Sequence, residues 1–192
     1  FYILLDILFE ENHYARIVSK PIKNDLLNTQ GEDLEVVLPS VDCILGDKLT
    51  AFAPHTTGIP LGIGKELEII KQMYDVAALI DVFDDFEDVY NSYMTIVETE
   101  INYRGLDISA NEVLMDTIDT AACIAGRGQI GNEYPMYLAG IKSISTHIYD
   151  ERYSAEKAVQ SACKTMYLAA CILRKSYFEK VIDCNLYLDC NI

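Results

Sequence analysis

Leu34-Glu35-Val36-Val37-Leu38-Pro39-Ser40-Val41-Asp42-Cys43-Ile44-Leu45-Gly46-Asp47-Lys48 is where the chain changes its period. Up to Leu38 the stretch is short and branched, as a strand is. Pro39 ends the sheet signal, and Ser40 offers a side-chain oxygen to the open N–H groups of a helix's first turn. The expectation is a strand over residues 34–38 and a helix over 41–53, closed by Pro54.

Upstream, Phe1-Tyr2-Ile3-Leu4-Leu5-Asp6-Ile7-Leu8-Phe9 has two mostly apolar faces, which predicts an interior strand. Residues 14–18 read as a further strand. Phe1 opens the chain without Met, inside an apolar run, so the chain is expected to begin part-way through a domain. Downstream, residues 56–65 form a loop holding Gly58, Pro60, Gly62 and Gly64. Residues 66–103 read as one long helix or two in tandem, ending at Gly105. Ser109-Ala110-Asn111-Glu112 is a capping-box sequence that starts a helix running to about residue 125. Residues 132–150 are expected to be helical after Pro135. Ser154 caps a last helix, with Val159, Cys163, Met166, Ala170, Leu173 and Tyr177 along one stripe. The fold class is therefore α+β, a short sheet followed by roughly 120 residues of antiparallel helices.

Composition narrows the function. The 192 residues are 51% hydrophobic and 23% charged, enough for a sizeable core and against disorder. No apolar run reaches the length of a membrane-spanning helix. Fifteen Lys and Arg against thirty Asp and Glu leave a net charge of −15, which disfavours broad coating of nucleic acid. The six cysteines show no metal spacing, and reduced core thiols in a cytoplasmic protein are the simplest reading.

Three charged residues stand out. Lys48 falls inside the apolar arc of its helix, among Val41, Ile44, Leu45, Leu49 and Phe52, so it either snorkels outward or is held for its charge in a cleft. The neighbouring Asp47 leaves that face for solvent. Asp6, between Leu5 and Ile7, is either an edge-strand acid or one held for function, and a strand can position a metal ligand rigidly. Lys71 and Asp75 project together as an i, i+4 pair opposite the apolar face of Ile69, Ile70, Met73, Val76 and Ile80. Taken alone, that is a solvated face.

Other patterns carry less. Gly126-Arg127-Gly128-Gln129-Ile130-Gly131 follows a helix rather than a strand, so it is a terminating loop and not a dinucleotide fingerprint. Asp84-Asp85-Phe86-Glu87-Asp88 spells the magnesium-diphosphate pattern of prenyl synthases, but a second acidic motif is missing. Residues 81–112 hold nine acids and one base, Arg104, which reads as a solvated acidic face that can meet a partner. His13, His55 and His147 show no metal spacing.

Asp47-Lys48-Leu49-Thr50-Ala51-Phe52, followed by Lys71-Gln72-Met73-Tyr74-Asp75-Val76, resembles the later motifs of AbiEii-type nucleotidyltransferases, toxin components of bacterial toxin–antitoxin and abortive-infection systems. Asp6 in Leu5-Asp6-Ile7 matches the family's preceding acidic strand, and the likeness covers roughly residues 1–85. The resemblance implies residues 1–75 as the C-terminal part of a nucleotidyltransferase-like domain, a partial sheet, and 76–192 as a helical bundle. It implies transfer of a nucleotide from a nucleoside triphosphate to an RNA (such as tRNA) or protein acceptor, with Mg2+. Lys48 and Asp75 would be catalytic, Lys48 and Lys71 would bind the nucleotide, and Asp6 would be a metal ligand. The family's Gly-Ser loop and paired carboxylates lie upstream of anything here, so the chain alone is expected to lack the nucleotide-holding half. Gln72 stands where many relatives have Asp. An inactive binding module of the same ancestry, engaging a basic partner such as an antitoxin through its acidic helices, is the alternative.

Overall fold

The computed structural model describes residues 11–23, 30–148 and 152–176, with Leu5, Ile7, Phe9 and Asn28. Among them, two strands, β1 (Ile17–Pro21) and β2 (Glu35–Pro39), pair antiparallel with Ile17 opposite Pro39 and Ser19 opposite Val37. Six helices follow: α1 (Val41–Ala51), α2 (Glu66–Ile80), α3 (Phe86–Arg104), α4 (Ala110–Ala125), α5 (Tyr134–Ile144) and α6 (Ala155–Arg174). The chain is thus α+β and mostly helical. The interior strand expected over residues 1–9 lies mainly outside the described residues, Asp6 included. Leu5, Ile7 and Phe9 are described, and they are strongly exposed outside either strand, not covered on two sides.

Local chemistry explains the boundaries. Ser40 caps α1 by accepting the Cys43 N–H at 3.2 Å, while its own N–H donates to the Arg16 carbonyl at 2.9 Å. The hairpin is thereby tied to the start of the bundle. The stretch 66–103 divides because Asp85 adopts extended backbone (φ −121°, ψ 112°) and accepts the Glu87 N–H at 2.8 Å. Asp42, buried in the first turn of α1, accepts the N–H groups of Asp84 and Asp85 at 2.7 and 3.2 Å. The Asp84–Asp88 run is therefore a helix start held by a third carboxylate; its first two acids precede α3 instead of lying on a helix. Gly105, at φ +62°, closes α3 in the left-handed region. The Ser109–Glu112 capping box forms in full. The glycine run after α4 is a loop, with Arg127, Gly128 and Gly131 at positive φ.

Two apolar clusters hold the helices. Leu45 and Leu49 of α1 join Val76, Val89, Tyr93, Val97, Leu114, Leu168 and Ile172 in the first. Phe52 joins Ile69, Ile70, Met73, Ile124, Tyr137, Ile141 and Ala162 in the second. Both clusters draw from either side of residue 75. The face that α6 buries is Ala158, Ser161, Ala162, Thr165, Leu168, Ala169 and Ile172. The expected stripe of Val159, Cys163, Met166, Ala170 and Leu173 is only half-buried, and Tyr177 lies outside the described residues. Ala158, Ser161, Ala162, Thr165 and Ala169 let α6 approach its neighbours closely, with Leu168 and Ile172 packed among them.

Gly46 sets the approach of α1 to α3. A Cβ there would sit 2.7 Å from both the Tyr93 N and the Val89 carbonyl oxygen on α3. Those atoms are backbone and cannot rotate away. Gly46→Ala is expected to destabilise the fold by about 1–3 kcal/mol through overpacking, against the gain of about 1 kcal/mol that Ala brings to an open helix. Urea denaturation of the two proteins measures the difference; equal stability would show that the helices can part.

Candidate functional site

The apolar side of α1 sinks Leu45 and Leu49 completely, and Lys48 leaves the helix between them. Its stem is covered while its ammonium reaches the boundary, with 36% of the side chain exposed. There Nζ donates to Asp75 Oδ2 at 2.9 Å and to Gln72 Oε1 at 3.4 Å. Gln72 and Asp75 are i, i+3 neighbours on α2, so both point at the same place while Ile69, Ile70, Met73 and Val76 are buried behind them. Asp75 is 40% exposed. Two stretches 27 residues apart in the chain thus meet in one half-covered ion pair.

The structure corrects two details. Asp75 joins Lys48 across the helices, and among the described residues no ion pair links it to Lys71, which is half-buried on α2. Asp47 is not free in solvent: it is half-buried and accepts the Tyr14 hydroxyl at 2.6 Å. Burial first, then the adjacent Asp47 carboxylate, pushes that phenol well above its ordinary range, so it stays protonated and donates. Asp6 lies outside the described residues.

A second constellation has no counterpart in the motif reading. Asp116 sits on the buried face of α4 with 5% of its side chain exposed. Its carboxylate accepts the His55 N–H at 2.9 Å, the Thr56 hydroxyl at 2.8 Å and the Thr120 hydroxyl at 3.3 Å. The His55 ring spans two acids, with Nδ1 2.7 Å from Asp116 Oδ1 and Nε2 3.0 Å from Glu133 Oε1. Nothing near His55 announces this, because its partners lie 61 and 78 residues away. The available signal was Asp116 itself, an acid among Val113, Leu114, Thr117 and Ala121 on an apolar helix face.

Among the described residues, no group of three or more His, Cys, Asp or Glu side chains is arranged to hold a metal ion. Both nitrogens of His55 are occupied by carboxylates. Cys43, Cys123 and Cys171 are free thiols, and burial pushes the Cys123 and Cys171 thiols up, away from nucleophilic thiolate. No described helix is long and apolar enough to cross a membrane. What the Lys48 site offers chemically is a fixed cation, steadied by one carboxylate and one amide, at the mouth of an apolar wall. Comparison with protein-family models, curated proteins and solved structures finds no match for the chain.

The His55 bridge has a pH signature. Burial lowers the imidazole pKa, but the hydrogen bonds and charges of Asp116 and Glu133 together outweigh it, and the group ends above its ordinary 6.5. A raised folded pKa contributes stability that is complete below the unfolded value and disappears as pH rises through the folded one. The melting temperature is therefore expected to fall as pH climbs from 6.5 through that raised value. His55→Gln, which keeps a polar side chain but cannot titrate, should flatten this part of the profile. A slope that persists in the variant would assign it to another group.

Proposed function

We propose that the chain belongs to a nucleotidyltransferase of the AbiEii type, acting in a bacterial toxin–antitoxin or abortive-infection system. It would transfer a nucleotide from a nucleoside triphosphate to the hydroxyl of an RNA, such as tRNA, or of a protein. The observation that supports this is the 2.9 Å pair of Lys48 and Asp75, the charged residues of the two motifs that carry the resemblance.

In that reaction the acceptor oxygen attacks the α-phosphorus, the bond to the bridging oxygen breaks, and pyrophosphate leaves. Negative charge builds on the phosphoryl oxygens. An ammonium group has three N–H donors. Lys48 directs one at Asp75 and one at Gln72, leaving its third direction for a phosphate oxygen. Asp75 keeps the long side chain in place, so less disorder has to be lost when the anion arrives. The neutral Gln72 matters to the charge balance: with a second carboxylate in its place the cluster would be net negative and would repel a triphosphate. Lys71, on the same helix, is the second candidate cation for the phosphates. The resemblance also implies Mg2+. The described residues alone do not supply a donor set for it, and Asp6 lies outside them.

The protein from its complete reading frame, incubated with an α-phosphate-labelled nucleoside triphosphate and either bulk tRNA or cell protein, is expected to transfer label. Lys48→Ala and Asp75→Ala should each reduce transfer by about 10²–10³-fold. Because the pair is more than a third exposed, each change should alter stability by less than about 1 kcal/mol. Transfer that is untouched by either substitution, or lost only in step with unfolding, would remove the proposal.

A further inference from the structure

A cavity of about 400 Å3 lies between the hairpin and α3. Its floor is apolar. Residues opposite one another in an antiparallel pair share a face, as do residues two apart along a strand, so Ile17, Val37 and Pro39 lie on one side of the hairpin. Val37 is 74% exposed and Ile17 45%. The half-buried Val18 alternates to the other side of the hairpin, while the half-buried Leu38 also lines the cavity. Ile96 of α3 completes the floor. The rim is acidic: Glu11, Asp47 and Glu100 line the cavity, and among the described residues no Lys or Arg does. Arg104 touches Glu100 from outside at 3.4 Å, an exposed pair that a competing cation can displace.

We infer that this groove docks a segment of a partner protein in which basic residues alternate with aliphatic ones. Two other occupants fail on charge. Residues 1–10 of this chain are apolar enough, yet they carry Asp6 and Glu10 and no base. A second copy brings a further net charge of −15 to a rim that is already negative. A basic aliphatic segment answers both halves of the groove: its side chains cover Val37 and Ile17, and its cations meet the three carboxylates. Long-range attraction to so acidic a chain also speeds the encounter. The inference stands apart from nucleotide transfer and needs no nucleotide to test.

Fluorescence anisotropy of the full chain with two labelled probes decides it, one a short peptide alternating arginine and valine, the other alternating glutamate and valine. The arginine peptide should bind saturably and more weakly as salt rises. Glu11→Lys with Glu100→Lys should weaken binding at least about tenfold, Val37→Ser should weaken it too, and all variants should melt like the parent. Equal binding of the glutamate peptide, indifference to the charge reversal, or no binding of the arginine peptide would overturn the inference. Self-association abolished by Val37→Ser, without peptide binding, would also overturn it and give the groove to a second copy.

Discussion

Helix α1 crosses α3 at a distance that only glycine allows, and the geometry of the whole bundle depends on that crossing. With Gly46 pressed against the backbone at Val89 and Tyr93, Leu45 and Leu49 are carried fully into the first cluster. Burying each such leucine is worth about 1.5–3 kcal/mol. The same placement directs three polar residues of one short helix to three tasks. Asp42 holds the start of α3, Asp47 takes the Tyr14 hydroxyl, and Lys48 reaches across to α2. None of these contacts survives if α1 slides by a turn. The two candidate surfaces consequently ride on one tightly packed pair, with Lys48 on α1 and the groove residues Ile96 and Glu100 on α3.

The acidic charge is handled in two different ways. Buried carboxylates are satisfied: Asp42 by two backbone N–H groups, and Asp116 by a backbone N–H, two hydroxyls and an imidazole. A carboxylate so supplied behaves as a local organiser of backbone, because a buried one without donors would be expelled or protonated. Residues 81–112 carry nine acids and, within the stretch, only Arg104 as a base; Lys164 pairs with Asp81 at 2.6 Å and Arg16 with Asp88 at 3.3 Å from other elements. Lys48 and Asp75 form a pair that is half-covered and still open to a ligand.

Much of the helical layout was legible because caps and breakers act locally. Ser40, the Ser109–Glu112 box and Gly105 each mark a boundary through contacts within a few residues, and the structure places boundaries there, whereas α1 ends at Ala51, short of the expected stop at Pro54. Lys48 was legible for a related reason: a charge inside an apolar stripe conflicts with its own helix and calls for a partner. Which partner was not legible from periodicity, since α2 shows Asp75 on a polar face beside Lys71. Two other features escaped because they are tertiary. The close face of α6 sets Ala158, Ser161, Ala162, Thr165 and Ala169, which carry little hydrophobic signal, beside Leu168 and Ile172. The His55 bridge joins three segments whose spacing in the chain says nothing about their meeting.

That bridge also fixes an order of events. The backbone leaving α1 is fastened at His55 and Thr56 to α4, and through the imidazole to the residue that opens α5. A ribosome releases these parts from the N-terminus onward, so the exit of α1 stays unfastened until residue 116 has emerged, and the imidazole gains its second acid only with residue 133. Lys48 lies within two helical turns of that fastening. A nascent chain halted before α4 would carry both motifs in full and still lack the anchor that holds one of them in register with the other.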